Sequence, residues 1–267
     1  MSQNKGNPVR RKRVGKYPGR AEVDDYTREM ATARQIQLSL LPDVPPNVRG
    51  VRMACRSIPS HIVGGDYYDF FRWDESSLDL VIADVSGHNL GSALIMVETR
   101  SVLRAHAFRS GNAGDALAVL NELLYEDLTR TELFISMFYA KFSTDSRFLT
   151  YANGGHNPPL LLRCGQQDCI ELDADGMVLG VLKGVAFEEK SVQLKEGDVL
   201  VFYTDGITES QNEFGELFGA DKLYRTVRSC RGAPPEGIID GVLRQVHEFT
   251  GQKSLQDDVS LVVLKID

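Results

Sequence analysis

Four aspartates far apart in the chain each stand at the polar end of an apolar segment: Asp66 in GGDYYDFF, Asp84 in LDLVIADVSGH, Asp205 in VLVFYTDGITES and Asp257 in QDDVSLVVLKI. A fold that gathers those ends puts several like charges in one site, which is costly unless protons or bound cations offset the repulsion. Hard carboxylate oxygens, with no matching cluster of histidine or cysteine, suit magnesium or manganese better than zinc. A pair of such ions about 3.5–4 Å apart hydrolyses phosphate monoesters by making hydroxide at neutral pH and neutralising charge on the phosphoryl oxygens.

The segments that must position these acids read as strands. Those ending near Asp84 and Asp205, and the one following Asp257, are continuous runs rich in Val, Ile and Leu, the pattern of strands buried in a packed sheet. VRMACRSI, DYYDFFRW and SLDLVIADV are three β-like runs separated by Gly, Pro and Ser clusters. Helical periodicity follows over 92–108 and 115–128, then a hairpin of ELFISMFYAKF and RFLTYAN through 143–146, then PPLLLR with CIELD. The last third holds VLVFYTDG, helices near 220–227 and 236–249, and a terminal strand over 259–266. Strands, two helices, strands, two helices and a strand suit an α+β fold in which helices cover both faces of a β-sandwich.

GGDYYDFF, ADVSGH, ANGGHNPPLLL, FYTDGITES and DDVSLVVL occur in the order found in the SpoIIE/RsbU-like serine phosphatases, a branch of the metal-dependent PPM (protein phosphatase 2C-like) superfamily, and over about residues 45–267 the chain resembles them. The resemblance implies an αββα layered sandwich and a protein serine/threonine phosphatase with two Mn2+ or Mg2+ ions. On it, Asp84 bridges both ions with the backbone carbonyl of Val85 as a neighbouring ligand, and Asp66, Asp205 and Asp257 complete the set. Hydroxide made at the metals would attack the phosphoserine phosphorus directly. Asp258 is assigned orientation or structure, because adjacent strand residues point to opposite sides. Asp69, His88 and His156 are further candidates around the ligands, with proton transfer by either histidine left open. The implied substrate is a phosphorylated STAS-type anti-sigma-factor antagonist in a partner-switching pathway.

Two positions depart from the family pattern. Asn89 stands where DVSGH is usually followed by glycine, delayed here to Gly91, and the phosphate-gripping arginine of many PPM enzymes has no firm counterpart, although Arg56 lies on an early strand. Two other readings compete: a catalytically inactive phosphatase-like binding module, and a nucleotide cyclase suggested by GGD. The cyclase reading leaves the TDG and DDVS motifs unexplained.

At 267 residues and 42% hydrophobic content the chain can bury a substantial core, and a domain over 45–267 falls within the range of β-rich folds. No apolar run approaches the roughly 20 residues of a membrane span and no signal-peptide core is present, so a cytoplasmic location is expected. The four cysteines are too few and scattered for a disulfide scaffold and read as reduced thiols. Residues 1–20 hold seven of the 30 lysines and arginines and no acid, and read as a disordered basic tail. The acidic remainder argues against a nucleic-acid binder. Between tail and domain, 21–44 reads as an amphipathic linker or regulatory helix: Val23, Tyr26, Met30, Ala33, Gln37 and Leu40 form a stripe over 21–41, which either caps the domain or pairs with its twin in a homodimer.

Overall fold

In the computed structural model the described residues are 20–106, 111–166, 168–251 and 255–267. Apart from Arg20, the expected basic tail lies outside them, as do the side chains of Val23 and Tyr26. The chain begins with helix α1 (Arg20–Leu40), ended just before Pro42. Strands β1 (Val51–Ile58), β2 (Asp66–Phe71) and β3 (Ser77–Val85) follow, then helices α2 (Leu90–His106) and α3 (Ala113–Thr131). Five strands come next: β4 (Ile135–Ser143), β5 (Phe148–Gly154), β6 (Leu160–Leu162), β7 (Cys169–Glu171) and β8 (Glu189–Gln193). Strand β9 (Val199–Tyr203), the single turn α4 (Asp205–Thr208), helices α5 (Gly219–Cys230) and α6 (Pro235–Phe249) and strand β10 (Val259–Ile266) complete the fold.

The strands form two five-stranded antiparallel sheets, ordered β1-β10-β9-β6-β7 and β2-β3-β4-β5-β8. Period-2 alternation gives each sheet two apolar faces. Tyr68, Phe70, Leu80, Ile82 and Phe138 meet Leu200, Phe202, Val262 and Leu264 between the sheets. Tyr67, Val81 and Tyr139 face the α2–α3 layer, whereas Val201, Leu261 and Val263 face α5 and α6. Each fully buried Leu, Ile or Phe in these layers contributes about 1.5–3 kcal/mol by leaving water, enough to fix the register of every central strand. The expected helix–sheet–sheet–helix architecture is therefore present.

Helix starts are set by side-chain caps. The Asn89 carboxamide accepts from Gly91 N at 2.7 Å and Ser92 N at 3.3 Å, so the departure from the family pattern serves as the cap of α2. Asn112 caps α3 in the same way by accepting from Asp115 N. Two elements escaped sequence reading: α4 is one turn long, and β8 reads EKSVQ, an exposed edge strand with no apolar alternation. No helix among the described residues is long and apolar enough to cross a membrane.

Candidate metal centre

Both sheets deliver carboxylates to the same end of the sandwich. Asp66 opens β2 and Asp84 nearly closes β3, and the two are direct register partners. Alternation places both on the face of Tyr68 and Ile82, toward the second sheet. In that sheet Tyr203 pairs with Leu261, so the exit of β9 into Asp205 lies beside the entry of β10 from Asp257 and Asp258.

Hydrogen bonds between the sheets set the geometry. Thr204 Oγ1 donates to Asp66 Oδ2 at 2.8 Å and accepts from Ser260 N at 2.9 Å. Asp258 is buried and fully engaged: Oδ1 accepts from Ser60 N at 2.7 Å and Ser60 Oγ at 3.0 Å, and Oδ2 accepts from Gly65 N at 2.8 Å. It ties the loop before Asp66 to the last strand. Asp257 Oδ1 accepts from Asp258 N at 2.8 Å. Glycine at 206 is required by close approach, since a Cβ there would run into the Asp258 carbonyl.

None of Asp66, Asp84, Asp205 and Asp257 forms an ion pair among the described residues. Burial, then the charges of Asp66, Asp205, Asp257 and Asp258, push the Asp84 carboxyl up to about 9. Asp66 is raised well above the ordinary carboxylate range by burial and then by Asp258, and Asp205 to about 6 by burial, Glu209 and Asp257. Such shifts mark a place where bound positive charge would be strongly favoured.

Among the described residues no three His, Cys, Asp or Glu side chains are close enough to enclose an ion. The donor set nonetheless fits a hard divalent cation. A Cβ on Gly65 would lie 2.5 Å from the Val85 carbonyl oxygen and 3.2 Å from Asp84 Oδ1, so two oxygens converge on a space that only glycine leaves open. All the available donors are oxygens.

The remaining candidates are placed differently. Asp69 lies on the opposite face of β2, where it receives Arg104 Nε and Nη2, each at 2.7 Å, and Tyr67 Oη at 2.9 Å, so it does not join the cluster. His156 is buried in the turn after β5, with Nδ1 2.8 Å from Ser136 Oγ and its backbone N–H donating to Asn153 Oδ1. Burial lowers it to about 4, so it is neutral at pH 7 and carries no proton to donate as an imidazolium. The exposed His88 ring stacks on His61 at 4.7 Å, and Ser60 Oγ, 3.0 Å from His61 Nδ1, bonds to Asp258. Arg56 sits 3.7 Å from Asp240 of α6, on the outer face of its sheet and away from the carboxylates.

Sequence reading missed Thr204 and Ser60. Thr204 had a signal, since its even spacing from Phe202 continues the face between the sheets, toward Asp66. Ser60 had none, because its partner is 198 residues away.

The family described as Stage II sporulation protein E (SpoIIE) matches residues 74–267. Phosphoserine phosphatase RsbU of Bacillus subtilis is 29% identical over 241 residues, covering 89% of this chain and 70% of that protein. Protein IcfG of Synechocystis is 24% identical, and the match covers 88% of this chain but only 41% of IcfG. Among solved structures, the SiaA-PP2C domain of Pseudomonas aeruginosa superposes with a TM-score of 0.82 at 19% identity, covering 92% of this chain and 99% of that one. RsbX in complex with magnesium superposes with a TM-score of 0.60 at 13% identity, covering 83% and 98%.

Proposed function

The chain belongs to the SpoIIE family and is a protein serine/threonine phosphatase of the PPM type, and on that premise we propose that it dephosphorylates phosphoserine on a STAS-type anti-sigma-factor antagonist, using two Mn2+ or Mg2+ ions. The observation that carries this reading is the convergence of Asp66, Asp84, Asp205 and Asp257 from both sheets with no cationic partner among the described residues. Asp84, Asp66, Asp205 and Asp257 would hold the ions, with the Val85 carbonyl as a further donor. Bound there, the pair would supply activated water and positive charge for the phosphoryl oxygens. Thr204 fixes the rotamer of Asp66, and Asp258 holds the loop of Gly64 and Gly65 against the last strand. Substrate orientation falls to the protein surface, because no arginine or lysine among the described residues is paired into the cluster.

Residues 45–267 act as the catalytic domain and 21–44 as its regulatory segment, with a homodimer through 21–41 as a further means of control. Contacts of α1 with its own domain support the regulatory role. Met30 is buried against Val63 and Ala93. Gln37 Nε2 donates to Gly64 O at 2.7 Å, and Gly64 N donates back to Gln37 Oε1 at 3.0 Å. Arg34 donates to the carbonyls of His61 and Ile62, and Arg100 of α2 to that of Leu40. Any shift of α1 therefore pulls on the loop that leads into Asp66.

The test is phosphate release from serine-phosphorylated STAS-domain proteins of the same genome, with and without manganese. Metal-dependent release from at least one is expected. Release that persists unchanged in excess chelator would sink the metal mechanism, and release from other phosphoproteins but no STAS protein would sink the substrate assignment.

A further inference from the structure

A single exposed phenylalanine is unremarkable on a protein surface. Phe214 differs in how it is held. It is 79% exposed, at the tip of a turn that follows directly on the Asp205 element. Asn212 Oδ1 accepts from Phe214 N at 2.9 Å and Glu216 N at 3.0 Å, and Gln211 bridges to Leu217. The base of the turn is bonded back to the site: Phe218 N donates to Ser210 O at 2.8 Å, and Ser210 Oγ to Gly206 O at 2.6 Å. Leu217, 51% exposed, adds to the same apolar tip. The aromatic ring is thus presented to solvent on a rigid mount whose ordering cost is met before any partner arrives.

The surroundings state what would dock there. Glu209, Glu213 and Glu216 are exposed on this segment, Glu209 directly after α4. The complement is an apolar segment flanked by cations. We propose that Phe214, with Leu217 beside it, is the anchor that seats the phosphoprotein substrate, and that the substrate presents apolar side chains flanked by lysine or arginine close to the phosphoserine. The inference rests on the phosphatase reading and adds the feature by which substrate is chosen. An aromatic anchor of this kind accounts for about tenfold or more in affinity.

The probes are a phosphoserine peptide library and an aryl phosphate, both with manganese. Wild type is expected to prefer peptides bearing leucine or isoleucine together with lysine or arginine over those bearing serine and glutamate. Phe214→Ser should lower the ratio of kcat/KM for preferred peptide to that for aryl phosphate about tenfold, through KM, and Phe214→Trp should retain it. Phe148, 42% exposed at the opposite end of β5 from His156, is the control, and Phe148→Ser should leave the ratio unchanged. The proposal is overturned if wild type shows no such preference, if Phe214→Ser keeps it, or if Phe148→Ser erases it equally. Absence of any metal-dependent phosphate release by wild type, from peptides and aryl phosphate alike, would instead overturn the phosphatase reading and this inference with it.

Discussion

Strands β2 and β3 each carry two aspartates, and the pairs have opposite fates. Asp69 and Asp79 are wholly buried, and each is neutralised: Asp69 by Arg104 and Tyr67, Asp79 by Lys141, Tyr139 and the Trp73 indole. Among the described residues, Asp66 and Asp84, on the same two strands, have one another and the acids of the second sheet for charged neighbours, with Thr204 and other neutral groups as hydrogen-bond donors. A buried charge that the fold takes care of is structural. One left uncompensated is tolerated because something else is meant to arrive.

The sharpest way to break this contrast is to neutralise one acid of each kind. Asp84→Asn or Asp205→Asn should lower phosphatase turnover at least about 100-fold, the scale of losing metal-based stabilisation, while the metal-free protein melts no lower than wild type. Equal turnover in a metal-saturated assay would remove Asp84 or Asp205 from the ligand set. Arg104→Met should do the reverse, leaving Asp69 buried without its cation. We expect a loss of about 2 kcal/mol in denaturant unfolding, less than the ~3–5 for a fully buried pair because the Arg104 side chain is 43% exposed, with metal-dependent turnover of the folded fraction preserved.

Protons probe the same difference. The Asp84 and Asp205 carboxyls sit at about 9 and about 6 in the folded chain against an ordinary 3.8, so between those values the folded state holds protons that the unfolded state releases. The stability these two protons contribute should therefore be lost as pH rises toward 9, and above about pH 6.5, where neutral His156 no longer opposes the trend, the metal-free protein should melt lower as pH rises. Added Mn2+ should raise the melting temperature more at pH 8 than at pH 5.5, since ligands must shed their protons to bind. A metal-free melting temperature that rises with pH across this window would contradict the arrangement. The smallest effect belongs to Tyr139→Phe, which removes one of several donors to Asp79 and should cost about 1 kcal/mol by thermal melting with no change in turnover. Met30→Asp with Leu40→Asp tests whether the uncompensated cluster is under remote control: activity should change more than domain stability, and light scattering should report any weakened dimer.

Much of this was legible in the sequence because alternation and apolar runs are local signals. The strands of Asp66 and Asp84, the hairpin through 143–146 and the helices α2, α3, α5 and α6 all follow from them. Asp69 is instructive, since its odd spacing from Asp66 on one strand already put it on the other face. Its partner Arg104 was out of sight, 35 residues on in a helix. Pairings of this kind, like Ser60 with Asp258 or Gln37 with Gly64, depend on which surfaces the fold brings together, and no local pattern encodes that.

The strand order has a temporal consequence. Sheet β2-β3-β4-β5-β8 is built from neighbours in sequence, apart from one insertion, and can assemble as the ribosome delivers them. The other sheet places β10 between β1 and β9, so the strand starting at Val51 has no partner in its sheet until Val259–Ile266 has been synthesised. Asp66 and Asp84 thus stand on strands that pair with near neighbours in sequence, whereas the placement of Asp205 beside Asp257 waits on the pairing of β9 with β10. A chain arrested before Val259 would contain all four acids but lack the strand that joins β1 to β9, leaving an open sheet, inactive as an enzyme and a client for chaperones.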